Sequence, residues 1–298
     1  MARAPALALG TRAGFIAENA VMTSSPWAHH RRSGVADDVD FEIKGQELQF
    51  VEIELDPGES AVAEAGAMVW KDASVDMTTV FGDGSGDSGG GFMGKLLGAG
   101  KRLVTGESLF TTVFTHHGRG KARVAFASPT PGSILPLNLA DLGGTLICQK
   151  DAFLAAAKGV SIGVQFQRRV MTGLFGGEGF IMQRLDGDGW VFVQMGGTVV
   201  ERELRSGEEL HVDTGCLAAY TPSVDFDLVT VGGIRTMFSG GEGVFFARLR
   251  GPGKVWIQSL PFSRLAGRML AAAGSRGGQN RGEGSALGSL GDWIGGND

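Results

Sequence analysis

The sequence predicts an all-β protein: three tandem β-sandwich or β-helix-like repeats around a pseudo-three-fold axis, followed by one short C-terminal helix. Three observations carry that expectation. Glycine supplies 50 of 298 residues, more than twice a usual share of roughly 7%, with no collagen period. Short β-branched and aromatic runs alternate with Gly-bearing turns, as in "FVEIELDPGESAVAEAGAMVW". Finally, the chain is self-similar with a period of 64 residues, the spacing both of Gly143 to Gly207 and of Glu178 to Glu242.

Residues 1–38 show no such alternation. They are rich in Ala, Arg and Ser and read as a disordered extension, with Met22 as an alternative start; an Arg-bearing targeting segment is the other reading. Residues 39–270 form one triplicated β domain, with repeats at about 39–130, 131–197 and 198–262. In each repeat the first half runs strand, glycine turn, strand, apolar patch, anchored on Gly58, Gly143 and Gly207. Each second half begins at a glutamate and reads strand, Gly-rich link, strand: "SLFTTVFTHHGRGKARVAFAS", "GFIMQRLDGDGWVFVQMGG" and "GVFFARLRGPGKVWIQSLP". Two apolar runs around a short Gly link are the signature of a hairpin.

The first repeat is longer, and the excess is a Gly-rich insertion at 82–98. Near the end, "LPFSRLAGRMLAAAG" places Phe262, Leu265, Ala266, Met269 and Leu270 at helical spacing, with Gly274 as a stop. Residues 271–298 read as a flexible Gly- and Ser-rich tail.

Glu107, Glu178 and Glu242 stand at corresponding places of the three repeats. Three carboxylates brought to one end of an axis could hold a cation or, if desolvated, do acid–base work. Each also directly precedes a strand and is flanked by glycine, the setting of a turn residue whose carboxylate accepts backbone N–H bonds. An active site rarely uses the same residue in every copy of a repeat, so the turn reading is preferred. The insertion carries Phe92, Met93, Leu96 and Leu97 among Lys95, Lys101 and Arg102, with no acid. A basic, apolar segment on an acidic chain suits contact with a membrane surface or partner protein; packing beneath a neighbouring subunit is the plainer alternative.

Other patterns fail on inspection. Gly84, Gly86 and Gly89 have dinucleotide-loop spacing, but Gly90 and Gly91 follow and no helix can open there. "GAGKRL" has Arg102 where a phosphate loop needs Ser or Thr, and Asp83, Ser85 and Asp87 lack the closing glutamate of a calcium loop. His116 and His117 read as exposed turn residues, and Cys148 and Cys216 as buried reduced thiols. No metal or other cofactor is expected. A formal charge of −5 argues against general nucleic-acid binding. No apolar run reaches the roughly 18–20 residues of a membrane-spanning helix.

Several long stretches give the chain a family resemblance: "GAGKRLVTGESLF", "KGVSIGVQFQ", "GLFGGEGFIMQ", "VDTGCLAAYTPSVDFD" and "GGIRTMFSGGEGVFFARLRGPGKVWIQSLPFSRLA". Over about 230 residues the chain resembles bacterial relatives of the altered inheritance of mitochondria 24 family. That resemblance implies a fold similar to the tryptophan RNA-binding attenuation protein, three copies per chain, and a homotrimer whose nine modules make a ring. No residue here licenses carrying over that protein's amino-acid or RNA binding. The expected function is therefore a non-enzymatic scaffold or binding protein, cytoplasmic and peripheral to a membrane where its insertion touches one. The alternatives are a small-molecule or RNA sensor using the seams between modules and, least favoured, a hydrolase using the glutamates.

Overall fold

The structure, a computed structural model, describes residues 36–81, 110–168, 180–230 and 245–274. The described chain is almost entirely β. Its first stretch holds β1 (Asp40–Lys44), β2 (Phe50–Leu55), β3 (Ser60–Glu64), β4 (Met68–Lys71), β5 (Val75–Phe81), β6 (Phe110–His116) and β7 (Ala122–Ala127). The second holds β8 (Gly132–Asn138), β9 (Thr145–Gln149), β10 (Phe153–Ala157), β11 (Ser161–Arg168), β12 (Phe180–Asp186) and β13 (Trp190–Gly196). The third holds β14 (Val199–Leu204), β15 (Glu209–Asp213), β16 (Leu217–Tyr220), β17 (Asp225–Thr230), β18 (Phe245–Arg250) and β19 (Gly253–Gln258). Helix α1 (Phe262–Gly274) follows, where the apolar spacing predicts it.

These strands make four antiparallel sheets. Two have six strands, ordered β5-β6-β3-β10-β13-β8 and β11-β12-β9-β16-β19-β14; a four-stranded sheet runs β1-β2-β7-β4 and a three-stranded one β15-β18-β17. The sheets stack in layers, with three apolar clusters in series between them rather than one shared core. Val51, Ile53, Leu55, Phe114, Phe126 and Phe192 fill the first cluster. Leu146, Cys148, Phe153, Leu185, Val193 and Trp256 fill the second, and Phe180, Met182, Leu217, Leu249 and Val255 the third.

Layering explains the two kinds of strand. β2 faces solvent on one side, so "FVEIEL" alternates, Val51, Ile53 and Leu55 pointing inward. β10 ("FLAAA"), β9 ("TLICQ") and β16 ("LAAY") lie inside six-stranded sheets covered on both faces, and every residue in them is buried. The alanines of β10 and β16 let neighbouring sheets approach closely, and the lack of alternation in all three strands follows from having no wet face.

The links on which hairpins are expected do not make hairpins. β6 and β7 lie in different sheets, as do β12 and β13, and β18 and β19. A two-residue hairpin turn holds its positive-φ residues near roughly +60°. Gly187 and Gly253 sit instead at φ 146°, and the chain steps across into the facing sheet. The strands that are neighbours in both sequence and sheet are β1·β2 and, once in each repeat, β5·β6, β11·β12 and β17·β18. His116 is a second correction. Its side chain is buried, with Nε2 2.9 Å from Gly120 O and Nδ1 accepting from Gly118 N–H at 3.3 Å, so it clips the link shut. His117 is exposed, as expected.

Candidate functional site

None of the residues predicted to form a functional site, the repeated glutamates and the basic apolar insertion, lies among the described residues. Glu107, Glu178 and Glu242, and Phe92, Met93, Lys95, Leu96, Leu97, Lys101 and Arg102, all fall outside them. What is described is their framing. The three glutamate-bearing stretches connect β5 to β6, β11 to β12 and β17 to β18, strands paired up to Phe81↔Phe110, Arg168↔Phe180 and Thr230↔Phe245. Among the described residues no three His, Cys, Asp or Glu are grouped to hold a metal ion, and no helix is long and apolar enough to cross a membrane. Cys148 is buried and burial pushes its thiol up to about 12, so it stays protonated; Cys216 is half-buried.

The outer face of β1, β2 and β7 carries a dense charge network. Lys121 Nζ donates to Asp40 at 3.2 Å and to Glu54 at 2.5 Å, and Arg123 reaches Glu54 at 2.9 Å. Lys121 and then Arg123 hold the Glu54 carboxyl below its ordinary range, against the opposing effect of partial burial. Both cations are half exposed, so these pairs are a solvated face worth little to stability.

Two sheet edges stand out. Within the chain, β3 pairs with β10 and β9 with β16, and each of these ladders joins a three-stranded unit to the next. In those ladders Ala63 lies opposite Ala155 and Val62 opposite Ala156; likewise Cys148 lies opposite Ala219 and Ile147 opposite Tyr220. β15 holds the place of β3 and β9 beside its own partner, β18, and β4 holds the place of β10 and β16 beside β7. Among the described residues, the other side of β4 and of β15 carries no ladder. Even local irregularity corresponds: the register shifts at Met68/Trp70, at Phe153/Ala155 and at Leu217/Ala219.

Backbone directions on the two edges match. Gly251 N–H donates to Glu208 O at 2.9 Å, so alternate residues from Glu208 face β18 and the backbone of His211 faces the open side. Asp72 N–H donates to Arg123 O at 2.9 Å, so Asp72 faces β7 and Lys71 faces the open side. Side chains match as well. Opposite each other on the paired strands stand Ala155 and Phe192, Ala219 and Trp256, Trp70 and Ala125. Every pair holds one aromatic and one alanine, but only the last puts its aromatic on the open strand. Trp70 is 37% exposed and Val69 54%, whereas Phe192 and Trp256 are fully buried. The sequence did hold a signal for this site: the apolar patch of the first repeat ends in Trp where the other two carry Ala.

Comparison with known proteins bears on these geometries. A family model described as mitochondrial biogenesis AIM24 matches residues 41–260. An uncharacterized protein from Streptococcus pyogenes serotype M6 is 32% identical over 230 residues, 76% of this chain and 87% of that relative. The crystal structure of a Streptococcus pyogenes protein is similar at 27% identity with a TM-score of 0.62, covering 78% of this chain and 99% of that one.

Proposed function

The chain belongs to the mitochondrial biogenesis AIM24 family, and from that premise we propose a non-enzymatic, homo-oligomeric scaffold: three modules per chain, three chains per ring. The modules are residues 39–130, 131–197 and 198–262, of the type found in the tryptophan RNA-binding attenuation protein. One observation carries this reading. The order β5-β6-β3-β10-β13-β8 recurs as β11-β12-β9-β16-β19-β14, and a third such sheet is split between the chain's ends as β17-β18-β15 and β4-β7-β2. Joining β15 of one chain to β4 of the next completes it. By the register of the internal junctions, Val212 then lies opposite Trp70 and His211 opposite Lys71. A head-to-tail contact of this kind uses two different surfaces, so it closes into a ring or grows without limit.

A ring of this kind presents the insertion at 82–98 in three copies, and weak contacts with a partner protein or membrane surface gain avidity by repetition. Light scattering tests the assembly. The native protein is expected at three times the 31.1 kDa of one chain. Lys71→Pro, which removes an N–H on the open side of β4 and leaves the β4·β7 ladder intact, is expected at one. A native protein that is monomeric at micromolar concentration sinks the proposal. Deleting residues 82–98 is expected to leave the mass per ring at three chains and to abolish partner or vesicle binding.

A further inference from the structure

Helix α1 has a bare apolar face. Phe262, Leu265, Ala266, Met269 and Leu270 recur at three- and four-residue spacing, with Met269 62% and Leu270 73% exposed. Arg264 and Arg268 lie on the opposite side. Further bare apolar side chains lie in the four-stranded sheet, where Met68 is 39% and Val69 54% exposed at the start of β4, and Leu48, 68% exposed, precedes β2 on the other side of β7. Isolated exposed apolar side chains are ordinary, but grouped ones mark a contact.

The chain's own packing says how the helix and this sheet meet. Gly197 N–H donates to Pro131 O at 3.1 Å, and Leu260 N–H donates to Gly196 O at 3.1 Å. The segment leaving β13 therefore stacks on the one leaving β7, and the segment leaving β19 stacks on the one leaving β13. In a head-to-tail assembly the next segment in that series is the one leaving β7 of a second copy. It departs beside Met68, which lies opposite Phe126, and Ala127 N–H donates to Ala67 O at 2.9 Å. The first turn of α1 is fixed at this same junction. Arg264 Nη2 lies 3.3 Å from Asp213 Oδ2 at the end of β15, and Gly215 packs against Pro261 and Ser263.

We infer that the apolar face of α1, led by Phe262, Met269 and Leu270, packs on Leu48, Met68 and Val69 of a second copy of this chain, strapping each strand junction. This rests on the head-to-tail reading above. A lipid surface fits the helix less well. Asp213 engages Arg264, which leaves Arg268 as the other cation of α1 for anionic headgroups.

The test uses two full-length chains, each with Cys216→Ser, one also carrying Met68→Cys and the other Phe262→Cys. Mixed, reassembled and mildly oxidised, they are expected to give a disulfide-linked heterodimer that neither chain gives alone. Failure to link in an assembly of native mass overturns the strap and leaves the ring standing. A native protein that is monomeric by light scattering overturns both. A separate variant, Met269→Glu with Leu270→Glu, is expected to raise the concentration at which the ring half-dissociates by about tenfold or more. An unchanged midpoint, together with loss of binding to phosphatidylglycerol vesicles that the native chain does bind, assigns the face to a membrane and overturns the proposal.

Discussion

Trp70 and Trp256 each face an alanine in corresponding strand pairs, but from opposite strands, Trp70 on the edge strand β4 and Trp256 on the inner strand β19; in the single chain the first is 37% exposed and the second fully buried. Trp256 also donates Nε1–H to Glu201 Oε2 at 2.9 Å, so its removal costs packing and a charge-assisted bond together. Trp256→Ala is expected to lower unfolding free energy by about 3–5 kcal/mol in urea titrations at any protein concentration. Trp70→Ala is expected to cost about 1 kcal/mol or less in the dissociated chain, with a larger loss appearing only at concentrations where the ring forms. Equal losses at both concentrations would contradict burial of Trp70 between copies. Glu64, at the end of β3, makes a pH prediction. Burial, then the charge of Asp151, raises its carboxyl from an ordinary 4.5 to about 7. The folded chain thus holds this proton more tightly than the unfolded chain. The contribution is complete below about pH 4.5 and is lost as pH rises through 7. Tm should fall between about pH 4.5 and 7, and Glu64→Gln should flatten that slope; Glu64 is exposed by surface area, so solvent screening keeps the effect small.

At the scale of elements, the turn glycines were legible and the strand partners were not. Gly58, Gly143 and Gly207, which anchor the period in the sequence, have φ of 92°, 80° and 75°, a conformation that L side chains avoid. Nothing lies near a Cβ added at Gly207, so Gly207→Ala is expected to cost only the backbone term, about 1–2 kcal/mol. Gly132 differs: an added Cβ collides with the Met195 carbonyl, and Gly132→Ala is expected to cost clearly more than Gly207→Ala in the same denaturation assay. Strand existence could be read because each run is short, apolar and bounded by such turns. Partnership could not, because a Gly-rich link between two strands looks alike whether it folds back in one sheet or crosses to the facing sheet. Val69 and Trp70 read from sequence only as part of the first repeat's apolar patch, since exposure of an edge depends on what else the chain places beside it. The glutamates were a good ruler, and the structure frames their position between paired strands without describing the residues themselves.

For the whole molecule, the decisive property is that the two open edges differ. A ring built from β15 against β4 and a dimer built from β4 against β4 both bury Trp70, and both are broken by Lys71→Pro. They part company when the two ends are blocked separately. His211→Pro removes an N–H from the open side of β15 and leaves the ladder to β18 intact, because the residues bonded to β18 are those in step with Glu208. If assembly is head-to-tail, His211→Pro alone is monomeric and Lys71→Pro alone is monomeric, since each lacks one half of the only usable contact. Mixed, they still have one sound β15, on the Lys71→Pro chain, and one sound β4, on the His211→Pro chain. The expected product is a heterodimer of two 31.1 kDa chains that goes no further, detected by native mass spectrometry with one chain isotope-labelled. Two chains joined through like edges would instead leave His211→Pro assembled on its own, and mixing would produce no new species.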